Sequence, residues 1–154
     1  MTTPSEGRIF KTTEKLMSPL GKGDIALVMS DVLGGKALAK AYLVEADNLY
    51  SLNQRICKIS SIKFLPEFLF FQLNRNPFLL AFDNKGSQAN LRKSEVLACP
   101  LYLPPIDIQN QLAIAATTTR ASCDKAIKQY QSKLTDLNDL RQSLLQKAFT
   151  GELT

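Results

Sequence analysis

The sequence contains no histidine. That absence removes the commonest general base, the commonest metal ligand and the usual middle member of a catalytic triad. Its three cysteines, Cys57, Cys99 and Cys123, are odd in number and form no CxxC pair. They indicate neither a disulfide framework nor a zinc site, and buried free thiols are expected. No apolar run approaches the roughly 20 residues that span a bilayer, and the opening MTTPSEGRIFKTTEK is polar where a signal peptide would be apolar. There is no GxxxxGK[ST] phosphate loop: GKGD at 21–24 lacks its spacing and its Ser/Thr. An Asn-Pro-Pro-aromatic motif and a glycine-rich cofactor loop are absent too. Together these absences predict a cytoplasmic protein that is not an enzyme, holds no cofactor or metal and has no membrane partner.

What is present fits a globular chain. With 154 residues, 45% hydrophobic and 21% charged, it can form one ordinary domain, or a smaller domain plus one extended element. The formal net charge is +5 and the pI about 9.2, a balance that suits an anionic partner. Residues 1–104 hold 13 basic and 9 acidic side chains against 6 and 5 in 105–154, so most of the surplus lies in the first part. The sequence shows no internal repeat and no low-complexity segment.

Prolines divide the chain at CPLYLPPIDIQ, residues 99–109. Pro100, Pro104 and Pro105 stop what precedes them, and a proline-free stretch, 106–149, reads as one helix. Pro104 and Pro105 sit where a missing N–H is harmless and Asp107 favours the helix start. Lys147 complements the helix end and Gly151 terminates it. Before the division, GDIALVMSDV (23–32), AKAYLVEA (39–46) and NQRICKISS (53–61) read as strands. LPEFLFFQLNRN (65–76) reads as a buried helix opening on Pro66, its phenylalanines belonging to the core. DNKGSQANLRKSEVLACPLYL (83–103) reads as a polar loop, a helical turn from about Lys93 and a last strand. The expected architecture is a mixed α+β head, residues 1–104, followed by one long helix, residues 105–154.

That helix carries a one-sided apolar stripe. In its second half Ile127, Tyr130, Leu134, Leu137, Leu140 (or its neighbour Arg141), Leu144 and Ala148 recur at a mean spacing of about 3.5, the coiled-coil period. In its first half the stripe is smaller in volume, with Leu112, Ala115, Thr119 and Ala126. A rod of 44 residues is roughly 66 Å long, whereas a head of this size has a radius of gyration of about 13 Å. The stripe is therefore expected to meet a protein partner rather than fold back on the head.

The two ends of this tail carry a resemblance. YLPPIDIQNQLA followed by LRQSLLQKAFTGEL is similar to the specificity subunits of type I restriction-modification systems, in which a Pro-Pro segment opens a Gln-containing helix that ends on such a leucine-rich, Gly-Glu-Leu-closed sequence. LYSLNQRICKI (49–59) and NKGSQANLRKSEVLACPLYLPP (84–105) resemble segments of the family's target recognition domain. The resemblance covers about residues 20–153. The family usually carries two recognition domains and two helices in one chain, whereas this sequence carries one of each, and residues 1–19 do not match the opening strand. The resemblance implies a half-length, non-catalytic reader of double-stranded DNA. It also implies that the reader positions a methyltransferase subunit and, through it, the restriction and translocase subunit.

Base reading requires Arg, Lys, Asn or Gln on loops or helix starts, with further cations on phosphates. Two stretches supply them, GGKALAK (34–40) with Lys36 and Lys40, and NKGSQANLRK (84–93) with Lys85, Ser87, Gln88, Asn90, Arg92 and Lys93. Gln88 is open to two readings, base contact or loop structure. Asn53, Gln54 and Arg55 are expected in a strand, as structural residues or phosphate contacts, and Arg75 is a weaker candidate for DNA. If two helices paired antiparallel, the small-residue half of each, Ala115 to Ala126, would face the leucine-rich half of the other, whereas a parallel pair would stack small on small. A homodimer, an antiparallel coiled coil and a bipartite palindromic site are the resulting expectations. The alternative is a truncated capping protein that docks on a full-length partner through its helix without reading DNA.

Overall fold

The computed structural model describes residues 18–32, 36–83 and 88–151. The element order is β1 (Ile25–Val28), β2 (Ser30–Val32), β3 (Ala41–Leu43), β4 (Ile56–Ile59), α1 (Pro66–Leu73), α2 (Pro77–Leu80), β5 (Gln88–Asn90), α3 (Lys93–Leu97) and α4 (Ile106–Thr150). The fold is mixed α+β, with small antiparallel sheets and a long C-terminal helix. Two compact units divide between Asn110 and Gln111, so the first turn of α4 goes with the unit that precedes it.

The central strand β1 shows why a sheet forms. Its residues alternate between two apolar clusters, Ile25 and Leu27 on one face and Ala26 on the other, as the two-residue period of a strand requires. The order is β3-β1-β4, antiparallel throughout, with Ala26 opposite Tyr42 and Lys58. The main core places Ile25 and Leu27 with Leu69 and Leu73 of α1, Leu79 of α2 and Leu91. Full burial of side chains this size stabilises by about 1.5 to 3 kcal/mol each. Helix α1 begins at Pro66, where a proline needs no amide partner, and buries Phe68, Leu69 and Leu73. The Phe-rich segment is thus core, as expected.

Asp24 locks the sheet at the start of its central strand, β1. Its carboxylate meets Lys58 Nζ at 2.8 Å and accepts from the Ser60 hydroxyl and from Gly21 N at 2.7 Å. Burial alone would push this carboxyl up; the bonds from Lys58, Ser60 and Gly21 outweigh it and hold the pKa below its ordinary value.

Several expected elements differ. The 23–32 run is two strands, because the chain changes partner at Met29: its N–H donates to Arg55 O at 2.8 Å and its carbonyl accepts from Leu91 N at 2.7 Å. Asn53, Gln54 and Arg55 form a turn ahead of β4, since Asn53 Oδ1 accepts from Arg55 N at 2.8 Å and its carbonyl from Ile56 N, the side-chain-closed turn that asparagine favours. No strand forms at 98–105. Pro100, Pro104 and Pro105 lack the N–H a ladder needs, and two glutamines hold the segment instead. Gln72 clamps Tyr102, donating to its carbonyl at 2.9 Å and accepting from its N–H at 2.7 Å. Gln109, only 2% exposed, accepts from Leu65 N at 2.8 Å and donates to Pro104 O at 2.9 Å and Lys63 O at 3.3 Å. Of the cysteines, Cys99 is buried, Cys57 half-buried and Cys123 exposed; the last lies on a helix face, contrary to expectation.

The helix α4 has the expected start and stop. Pro105 precedes Ile106, Asp107 lies in the first turn and Lys147 in the last. Gly151 closes it at φ 76°, the left-handed conformation that suits glycine. At 45 residues it measures about 67 Å. Among the described residues no helix is long and apolar enough to cross a membrane.

Candidate nucleic-acid interface

The two basic stretches singled out in the sequence are 44 or more residues apart in the chain, and a two-stranded ribbon joins them. Strand β2 pairs antiparallel with β5 in the register Ser30↔Asn90, Asp31↔Ala89, Val32↔Gln88. Val32 and Gln88 therefore share one end of the ribbon. Its other end carries Asn90, then Leu91, which bonds Met29, and then Arg92 and Lys93 at the start of α3.

The cations on this framework face solvent. Lys36, Lys40, Arg92 and Lys93 are all exposed, as is the neutral Asn90. The backbone that carries Arg92 and Lys93 is fixed, because Glu95 turns back and its carboxylate accepts from Arg92 N at 2.7 Å, which satisfies one orphan amide of the helix start. Lys85 and Ser87 lie outside the described residues, as does the side chain of Gln88, whose backbone lies in β5.

Two residues that organise this region are not legible as such in the sequence. Asp31 accepts from the N–H groups of Val32 at 2.8 Å, Leu38 at 3.1 Å and Ala37. Burial opposes its charge, but those three amides and the nearby Lys40 ammonium hold its pKa below the ordinary value. Arg75, a DNA candidate from sequence and an exposed residue, engages one guanidinium nitrogen with protein: Nη1 donates to Lys36 O at 3.2 Å and Leu38 O at 3.1 Å. The Asp31 bonds span one to seven residues and the Arg75 bonds more than 35, so no local pattern signals the second.

A separate apolar cavity of about 230 Å³ lies on the other face of β1, lined by Leu20, Ala26, Tyr42, Tyr50, Ser51, Leu52 and Ile56. The Tyr42 and Tyr50 hydroxyls bond at 3.2 Å with rings edge to face. That hydrogen bond, with burial, pushes Tyr42 up to about 12, so it stays neutral. No set of converging polar groups marks the cavity for chemistry.

The second unit presents its own surface. Along α4, Leu112 is 44% exposed, Tyr130 68%, Leu134 and Leu137 62% each and Leu144 46%. Ile127, Ala115, Thr119 and Ala148 are exposed, and Ala126 is half-buried. The Thr119 hydroxyl donates to Ala115 O at 2.9 Å, so its polar group is satisfied within the helix and its methyl is left on the stripe.

The chain matches two curated proteins at modest identity. It is 30% identical over 101 residues to the type I restriction enzyme StySPI specificity subunit of Salmonella potsdam, an alignment covering 63% of this chain and 22% of that protein. It is 27% identical over 119 residues to the type I restriction enzyme EcoKI specificity subunit of Escherichia coli strain K12, covering 77% of this chain and 25% of that one. No protein-family model matches the chain, and no solved structure matches it. The chain spans about a quarter of the length of the relatives it matches, and over that span it is related by sequence to the specificity subunits of type I restriction enzymes.

Proposed function

We propose that this chain reads DNA sequence for a type I restriction-modification system, with residues 1–104 as the recognition domain and residues 105–154 as a pairing helix. The observation that carries the reading is the β2–β5 ribbon, which joins two basic stretches and leaves Lys36, Lys40, Arg92 and Lys93 exposed. Phosphates would be held by these cations and by Lys85, with Ser87, Gln88 and Asn90 as candidates for base edges. The protein itself performs no chemistry; it positions a methyltransferase subunit and, through it, the restriction and translocase subunit. The names of its relatives support that division of labour.

The helix pairs with a second copy, antiparallel. Leu134, Leu137 and Leu144, all exposed, would meet the partner's small residues, Ala115, Thr119 and Ala126, so that small packs on large along the seam. Two heads related by a two-fold axis read a palindromic, bipartite site with an unread gap. The test is a competition gel with specific and mixed-sequence duplexes at rising salt. A reader holds one duplex preferentially and weakens steeply with salt. A capping protein that docks by its helix alone shows neither property, and that result would replace this reading.

A further inference from the structure

The backbone at 36–39 is held from two sides by side chains of opposite charge. Asp31, in the ribbon, takes the N–H groups of Ala37 and Leu38. Arg75, between α1 and α2, takes the carbonyls of Lys36 and Leu38. The grip extends further along both segments. Arg75 N donates to Ala39 O at 2.7 Å, and Asn74 Oδ1 accepts from Ala41 N at 3.0 Å. Arg75 and Ala39 both take left-handed backbone conformations, φ 58° and 55°. Residues with a Cβ keep such angles only where their surroundings over-determine them. Ala39 is fully buried, whereas Lys36 and Lys40 on either side of it are exposed.

We infer that Arg75 is a positioning residue: it holds the backbone of 36–40 so that Lys36 and Lys40 act together on DNA phosphates, and it does not contact DNA itself. This role rests on the DNA-reading proposal above. One guanidinium nitrogen bridges two carbonyls two residues apart, which fixes the curvature of the intervening backbone. The two N–H bonds of that nitrogen lie in the fixed plane of the guanidinium, whereas a lysine ammonium turns freely on a flexible stem and does not hold such a pair of bonds in place. Keeping the charge at position 75 is therefore not enough.

The experiment uses the full chain, a fluorescent duplex of mixed sequence and anisotropy titrations over a range of salt, so that phosphate contacts dominate the signal. Lys36→Ala should lower the salt slope by about 0.9, the value of one phosphate contact. Arg75→Lys should lower it by about 1.8, the value of two such contacts, although the charge is conserved. Adding Lys36→Ala to Arg75→Lys should then change little. Amide exchange read in parallel should quicken at least tenfold at Ala37, Leu38 and Ala41 in Arg75→Lys, while Ile25 and Leu27 keep their protection. Wild-type binding by Arg75→Lys, with a slope lower by about 0.9 in Arg75→Gln, would make Arg75 a direct phosphate contact and overturn the inference. Reduced protection at Ile25 and Leu27 would overturn it as well, by making Arg75 a residue of global stability. A wild-type chain with no salt-dependent binding would instead remove the DNA reading on which the role rests.

Discussion

Gln109 and Leu65 are 44 residues apart in sequence and joined by a 2.8 Å hydrogen bond from the Leu65 amide to the glutamine side-chain oxygen. The same side chain donates to Pro104 and Lys63 carbonyls. One buried amide thus ties the first turn of α4 to the proline segment before it and to the loop that opens α1. Replacing it by alanine removes the partner of one amide and two carbonyls; the carbonyl of exposed Lys63 can turn to water, whereas an orphan at Leu65 N or Pro104 O costs about 1 to 3 kcal/mol each. Gln109→Ala should lower unfolding stability by about 2 to 6 kcal/mol, measured in urea. Gln109→Glu, which keeps the acceptor and loses both donors, should be nearly as damaging. Wild-type stability in both variants would show that the junction is held elsewhere.

Acid should weaken the first unit at two sites. Asp24 and Asp31 both have folded-state pKa values held below the ordinary 3.8. A carboxyl depressed on folding contributes stability that is fully present above its unfolded pKa and lost as pH falls through the folded one. Unfolding free energy should therefore be level above about pH 5 and fall below about pH 4. Asp24→Asn should flatten part of that fall, as measured by urea melts across the range. An unchanged profile in both Asp24→Asn and Asp31→Asn would contradict the assignment.

Charge removal on the second basic stretch should weaken binding without touching the fold. Lys85→Ala with Arg92→Ala should reduce the salt slope by roughly 0.9 for each phosphate no longer held. Where one of these side chains reads a base edge with two hydrogen bonds, its removal should cost about 1 to 3 kcal/mol at one position of the site. Circular dichroism should be unchanged. Equal affinity and equal slope in the double variant would reject this stretch as a DNA surface.

The long helix should report its partner directly. Leu137 and Leu144 are 62% and 46% exposed, and changing both to Asp places charges in the proposed seam. Light scattering should show the wild type as a dimer at micromolar concentration and the double variant as a monomer. A monomeric wild type would rule out the homodimer.

Elements with a local cause can be read from the sequence. The proline pair, Asp107, Lys147 and Gly151 mark both ends of α4, Pro66 marks the start of α1, and the helical turn expected from Lys93 is where α3 begins. What escapes depends on partners far away in the chain. The break at Met29 follows from Arg55 and Leu91, which bond its two backbone groups. Segment 98–105 is apolar and strand-like, yet its prolines deny it a ladder and Gln72 and Gln109 hold it. In the candidate site, both basic stretches are visible as composition. The ribbon that joins them, and the commitment of Arg75 to carbonyls, are tertiary facts that a local pattern does not carry.

Selection from a random-sequence DNA library by the purified full chain separates a homodimeric reader of DNA from a protein that does not read it. A homodimeric reader should enrich one inverted repeat, two identical half-sites separated by a gap of constant length and free sequence. Enrichment of no sequence, or of a single unrepeated motif, would contradict it.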